Sequence, residues 1–196
     1  MALGLAAPQP TSGYVSAVRG VVSPRCIFTG GGALTNTADG TDYTGVATEI
    51  IMAECFVPFT TGVTGVALKV GSSGTFSDNV KVGIYDSIGR LVAASASTAG
   101  GSQTADTFMR IAFANEFIST GAAVAITNQV RLAPGTYYIA AMLDGTTAHI
   151  NTHVQGSFGA GKLTGHTYST AMNTTALTVA PPTTFTTALG PIASLY

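Results

Sequence analysis

Between Thr48 and Val154 apolar side chains recur at every second position, a period that the backbone satisfies as strand and not as helix. Val66, Leu68 and Val70 alternate with Ala67 and Lys69, and Val80, Val82 and Ile84 alternate with Lys81, Gly83 and Tyr85. Met109, Ile111 and Phe113 stand against Arg110 and Ala112 in the same way. Each run gives one buried and one wetter face. Turn chemistry divides the runs. Asp86-Ser87-Ile88-Gly89 pairs an Asp that can bond its own backbone with a Gly for positive φ, which predicts a hairpin between 79–86 and 90–96. Pro134-Gly135 predicts a tight turn, and the strand after it, 136–143, is apolar on both faces and so belongs in the centre of a sheet. With 48–57, 64–71, 107–114, 122–132 and 147–154 the chain offers about eight strands and no amphipathic helix. The expected fold class is all-β, an antiparallel jelly-roll-like β-sandwich.

The two ends read differently. Residues 1–45 lack sustained periodicity and carry Gly30-Gly31-Gly32 and Asp39-Gly40, which predicts an extended N-terminal arm ahead of a sandwich domain over 46–196. Tyr14, Val18, Val22 and Phe28 are the apolar anchors by which such an arm would dock. From Gly156 the chain is rich in Gly and Thr, and it reads as a long loop followed by a segment, Thr183–Leu189, suited to an edge strand. The N-terminus does not read as a signal peptide, and no stretch is continuous and apolar enough for a spanning helix.

Composition narrows function. Only 9% of the residues are charged, against about 25% in an average soluble domain. The net charge is −1, and the eight basic residues are scattered, so nothing draws in nucleic acid or an anionic membrane. A surface with so few charges marks either area covered by partners, the expectation here, or a Thr-rich surface solvated through its hydroxyls. Cys26 and Cys55 are read as free thiols of a protein made in a reducing cytoplasm.

Little in the chain points to catalysis. Asp39, Asp86 and Asp144 are explained as turn formers, and Glu49 and Glu54, five apart, point to opposite faces of one strand. There is no Gly-x-Ser-x-Gly elbow. Gly156–Lys162 matches the start of a phosphate-binding loop, but Leu163 replaces the hydroxyl that would hold Mg²⁺ and no parallel β-α unit surrounds it, so it is read as a flexible Gly loop. His149 and His153 share a strand face about 13 Å apart, too far for one metal ion without His166 or a symmetry mate. No catalytic residue, cofactor or metal is therefore assigned.

The hairpin Val80–Asp86 with Ser87–Ala93, followed by Leu132-Ala133-Pro134-Gly135-Thr136-Tyr137-Tyr138-Ile139, resembles β-sandwich modules of tailed-bacteriophage virion proteins, found in head decoration (cement) proteins and tail fibres. The resemblance covers roughly 48–154. It implies a non-enzymatic virion structural protein, made in the host cytoplasm, that binds the major capsid protein or other virion proteins and forms a homo-oligomer, a trimer by analogy. The alternative it implies is a tail-fibre or receptor-binding module for cell-surface glycans, for which Tyr138, His149, His153 and Tyr168 are the candidate contacts.

Overall fold

The computed structural model describes residues 27–28, 39–72, 78–101, 103–118, 121–153, 160–164, 168, 172 and 190–196. Sixteen strands and no helix are found among them: β1 (Ile27–Phe28), β2 (Asp39–Thr44), β3 (Glu49–Val57), β4 (Thr61–Val63), β5 (Gly65–Lys69), β6 (Asn79–Asp86), β7 (Leu91–Ala94), β8 (Thr98–Ala99), β9 (Phe108–Ala112), β10 (Asn115–Phe117), β11 (Ala123–Ala125), β12 (Val130–Leu132), β13 (Gly135–Leu143), β14 (His149–His153), β15 (Ala160–Thr164) and β16 (Ala193–Leu195). All named pairings are antiparallel.

One large sheet runs β11-β10-β7-β6-β13-β3-β15, with β8 also on β6. The strands opposite it form a sheet ordered β1-β16-β5-β9 and two ribbons, β12-β4 and β14-β2. The layers meet over one core. Ile51, Cys55 and Val57 of β3, Val80, Val82 and Ile84 of β6, and Ile139, Ala141 and Leu143 of β13 face Val66 and Leu68 of β5, Ile111 of β9, Ile150 of β14 and Leu195 of β16. This arrangement is consistent with a β-sandwich.

The alternating runs lie where their period places them. β3, β6 and β13 match 48–57, 79–86 and 136–143 to within a residue. β13, apolar on both faces, sits between β3 and β6, so its ladder is paired on both sides. The hairpin of β6 and β7 also forms as its turn chemistry requires. Asp86 Oδ1 accepts from the backbone N–H of Ile88 (3.1 Å) and Arg90 (2.8 Å), and Gly89 takes φ 83°. Ser95 continues the ladder with its side chain, its hydroxyl accepting from Val82 N–H at 3.0 Å.

Several expectations are corrected. The run 122–132 is two strands, because β11 stays on β10 in the large sheet while β12 joins β4 in the facing layer. The stretch read as an arm contains β1, on β16, and β2, on β14. Within the stretch read as a Gly-rich loop, Ala160–Thr164 is β15, on β3. The C-terminal strand is β16, held between β1 and β5, whereas Thr183–Leu189 lies outside the described residues. β1, β2, β15 and β16 find their partners far along the chain, and β11 and β12 are only three residues each, so local alternation cannot announce them.

The Pro134-Gly135 turn carries the chain from one layer to the other, from β12 on β4 to β13 in the large sheet. Tyr137, packed against the core, clips this corner: its hydroxyl donates to the Ala133 carbonyl at 3.0 Å. Tyr137→Phe keeps the ring and removes the clip. It is expected to cost about 1 kcal/mol in urea unfolding with an unchanged slope; an unchanged midpoint would show that the hydroxyl contributes nothing at the corner.

Candidate interaction surface

The outer face of the large sheet carries a second apolar layer. Ile50 and Met52 of β3, Tyr85 of β6, Leu91 of β7, Phe117 of β10, and Tyr138, Ala140 and Met142 of β13 are buried there together with Met172. Gly83, in the middle of β6, makes room: a Cβ at that position would lie 3.1 Å from the Met172 sulfur and 3.2 Å from a Leu91 methyl. Tyr168 lies on the same face. Lys81 Nζ donates to the Tyr168 carbonyl at 2.7 Å and stands 4.8 Å from its ring centroid, while Ser97 Oγ and the Tyr168 hydroxyl are 2.9 Å apart. Burial lowers the Lys81 pKa and raises that of Tyr168, whose shift the Ser97 contact offsets and the charge of Asp144 reinforces. The ammonium is thus used to seat the C-terminal part of the chain on the sheet.

The alternation put Lys81 and Tyr85 on a wetter face of their strand, but both are buried, because the outer face of β6 is covered as well. The Tyr85 hydroxyl is fully buried and has no hydrogen-bond partner among the described residues, and burial pushes its pKa up. The only signal of this close approach was a glycine inside an otherwise regular strand.

The glycan candidates do not converge. Tyr138 is only 8% exposed, on the outer face between Glu54 of β3 and Tyr85 of β6. Tyr168 is half-buried against Lys81 on the same face. His149 and His153 are in β14, in the opposite layer, where His149 lies opposite Thr44 and His153 opposite Asp39 with a bulge between them. Of the arm anchors, Phe28 lies opposite Ser194 in β1, and Tyr14, Val18 and Val22 lie outside the described residues, as do Cys26, His166 and Gly156–Gly159. Cys55 is a free thiol, buried in the core, its pKa raised by burial and by the charge of Glu54.

Three of the aspartates hold backbone N–H groups. Asp78 Oδ2 accepts from Thr147 and Ala148 N–H at 2.8 and 2.7 Å. Asp144 closes no turn of its own: it holds the start of β6 instead, through Asn79 N–H (2.7 Å) and Asn79 Nδ2 (2.6 Å). Asp42, Ser72 and His149 gather around Gly71, whose absent Cβ would meet both the carboxylate and the imidazole stem. There the Ser72 hydroxyl and N–H both donate to Asp42 Oδ2, at 2.5 and 2.7 Å, so the carboxylate holds a turn and no imidazole stands between them to act as base. Among the described residues no three His, Cys, Asp or Glu side chains are grouped to hold a metal ion, and no helix is long and apolar enough to cross a membrane.

What the described surface does offer is apolar area. Phe56, Phe59, Phe108, Ile118 and Val124 are all 40% exposed or more. No family model and no curated protein matches the chain.

One ion-pair network ties β15 to the layer beneath. Lys162 Nζ donates to Glu49 Oε1 at 2.9 Å, and the Tyr43 hydroxyl to Glu49 Oε2 at 2.8 Å. Lys162 therefore ties the edge strand β15 to β3. Burial pushes the Glu49 carboxyl up, but the hydrogen bonds from Lys162 and Tyr43, with the Lys162 charge, outweigh it and hold the group below its ordinary 4.5. A depressed carboxyl contributes stability above its unfolded pKa and loses it as pH falls through the folded value. Lys162→Met should thus be less stable than wild type at neutral pH, with the gap closing as the pH drops below 4.5. Urea unfolding at pH 7 and at acid pH reads this, and a pH-independent gap would assign the loss to packing.

Proposed function

We propose that this chain is a non-enzymatic virion structural protein, a head decoration (cement) protein with a jelly-roll-like sandwich that stabilises a capsid through interfaces with the major capsid protein. The observation that carries the reading is the set of exposed large apolar side chains on a charge-poor chain: Phe56, Phe59, Phe108, Ile118 and Val124 are exposed while only 9% of the chain is charged. Such a surface binds by excluding water, with little electrostatic contribution. A protein that binds the assembled shell and not its dissociated parts stabilises the shell by mass action, with no chemistry required. The segment ahead of β1 contributes Tyr14, Val18 and Val22 as further docking side chains, and the chain acts as a homo-oligomer in the virion.

The tail-fibre reading draws less support. Sugar platforms need open aromatic faces, and Tyr138 is covered while the Tyr168 ring is engaged with Lys81.

Particles with and without the protein distinguish the two. Decoration predicts earlier heat-induced genome release in its absence, with normal adsorption to host cells. Unchanged heat resistance with lost adsorption would replace this reading by glycan recognition. Deleting residues 1–26, ahead of β1, should weaken attachment to particles while the circular dichroism of the sandwich is kept; unchanged attachment would place docking entirely on the sandwich.

A further inference from the structure

The large sheet ends in a strand with no charge to guard it. β11 is the last strand of the path, pairing only with β10 among the described residues, and Ala123, Val124 and Ala125 are all exposed. The ladder fixes which backbone groups face outward. Ile118 N–H donates to the Ala122 carbonyl (3.1 Å) and Ile126 N–H to the Ala114 carbonyl (3.0 Å), with Val124 opposite Glu116 between them. In an antiparallel ladder this alternation turns Ala122, Val124 and Ile126 towards β10 and leaves the N–H and C=O of Ala123 and Ala125 pointing out of the sheet. Exposed strand edges are ordinarily blunted by charge, proline or brevity. From Ile118 to Val130 the sequence holds no charged residue and no proline, so brevity alone protects this edge.

The other ends of the two larger sheets differ. β9 carries Arg110, β15 carries Lys162, and β1 has two residues. A ring built head to tail through the large sheet would have to join β11 to β15 and its lysine. A two-fold contact needs only one edge, provided that the residue on the axis tolerates its own copy. Val124 does: it is apolar, 47% exposed and flanked by alanines.

We propose that β11 is a self-association edge, at which a second copy of this chain adds its own β11 antiparallel, with Val124 on the two-fold axis. Ala123 then exchanges both backbone hydrogen bonds with Ala125 of the second copy, and the reverse, so the outward donors and acceptors are satisfied and the two large sheets become continuous. Val124 meets its copy at a non-hydrogen-bonded position, where side chains approach most closely. Ala122 comes opposite Ile126 of the second copy, extending the apolar contact. The interface is small, so the dimer forms in the micromolar range. The symmetry is two-fold, in place of the trimer that the resemblance implies. The proposal does not depend on the decoration reading, since self-association is read on the isolated chain and decoration on particles.

Sedimentation velocity of the full chain across the micromolar range tests it. The expected species is twice the 19.7 kDa protomer. Val124→Lys places like charges on the axis, and Ala125→Pro removes an outward donor without touching the β10 ladder. Both should sediment as folded monomers where wild type is dimeric, while Ile88→Lys, in the exposed β6–β7 turn, should behave as wild type. In a Cys26→Ser background, Val124→Cys should oxidise to a covalent dimer, and Ala122→Cys should not. A wild-type monomer throughout, a trimer, dimers that survive both edge substitutions, or no cross-link at position 124 would each overturn the proposal.

Discussion

Three strands, β6, β13 and β3, are buried on both faces and hydrogen-bonded to each other along their length, and the rest of the molecule is arranged around that ladder. β13 is the strictest case. Ile139, Ala141 and Leu143 face the sandwich core, while Tyr138, Ala140 and Met142 face the outer layer. No residue between Tyr138 and Leu143 can become charged without losing one of two apolar environments. Because the outer face must also be covered, a later part of the chain is committed to it through Tyr168 and Met172. Both faces of the central strands are thus covered over most of their length, with Phe56 of β3 the exposed exception. The other exposed large apolar side chains, among them Phe59, Ile88, Phe108, Ile118 and Val124, lie in loops, turns or edge strands.

The scarce polar groups are consumed by the same architecture. Asp42, Asp78, Asp86 and Asp144 each accept backbone N–H groups at points where the chain leaves or enters a strand. Tyr137 closes the corner between layers, Ser95 replaces a ladder carbonyl with its hydroxyl, and Lys81 seats Tyr168. Each satisfies a backbone group that would otherwise be stranded at an interruption of regular pairing. Four of the nine acidic residues are thus turn or strand-end fixtures.

How much of this was legible follows from distance along the chain. β6, its Asp86–Gly89 turn and β7 depend on neighbours within a few residues, and alternation with turn chemistry described them well. β13 was recognisable as central because two apolar faces have a single placement in a sheet. By contrast β15 and β16 are Ala-Gly-Lys-Leu-Thr and Ala-Ser-Leu, too short to show a period, and their partners, β3 and β5, precede them by about a hundred residues. The break between β11 and β12 is set by which layer each half can join, information held in β4 and β10. The scattered surface candidates fared worst. Tyr138 is an outer-core residue because Gly83 admits Met172 and Leu91 nearby, and the histidines fall on a different layer because β2, read as arm, supplies the partner of β14.

Low charge also decides what kind of association suits this surface. With a net charge of −1 and few local clusters, long-range steering is weak, so encounter with any partner proceeds at the slower, orientation-limited rates and is insensitive to salt. Binding strength must then come from area removed from water and from backbone groups at strand edges, both of which act only at contact. Such a surface suits a partner held at high local concentration, as in a repeating assembly, better than one captured from dilute solution. The same absence of repulsion makes edge protection more consequential: where Arg110 and Lys162 mark β9 and β15, their desolvation opposes the approach of another strand, and where charge is missing, as along β11, only the brevity of the strand stands in the way.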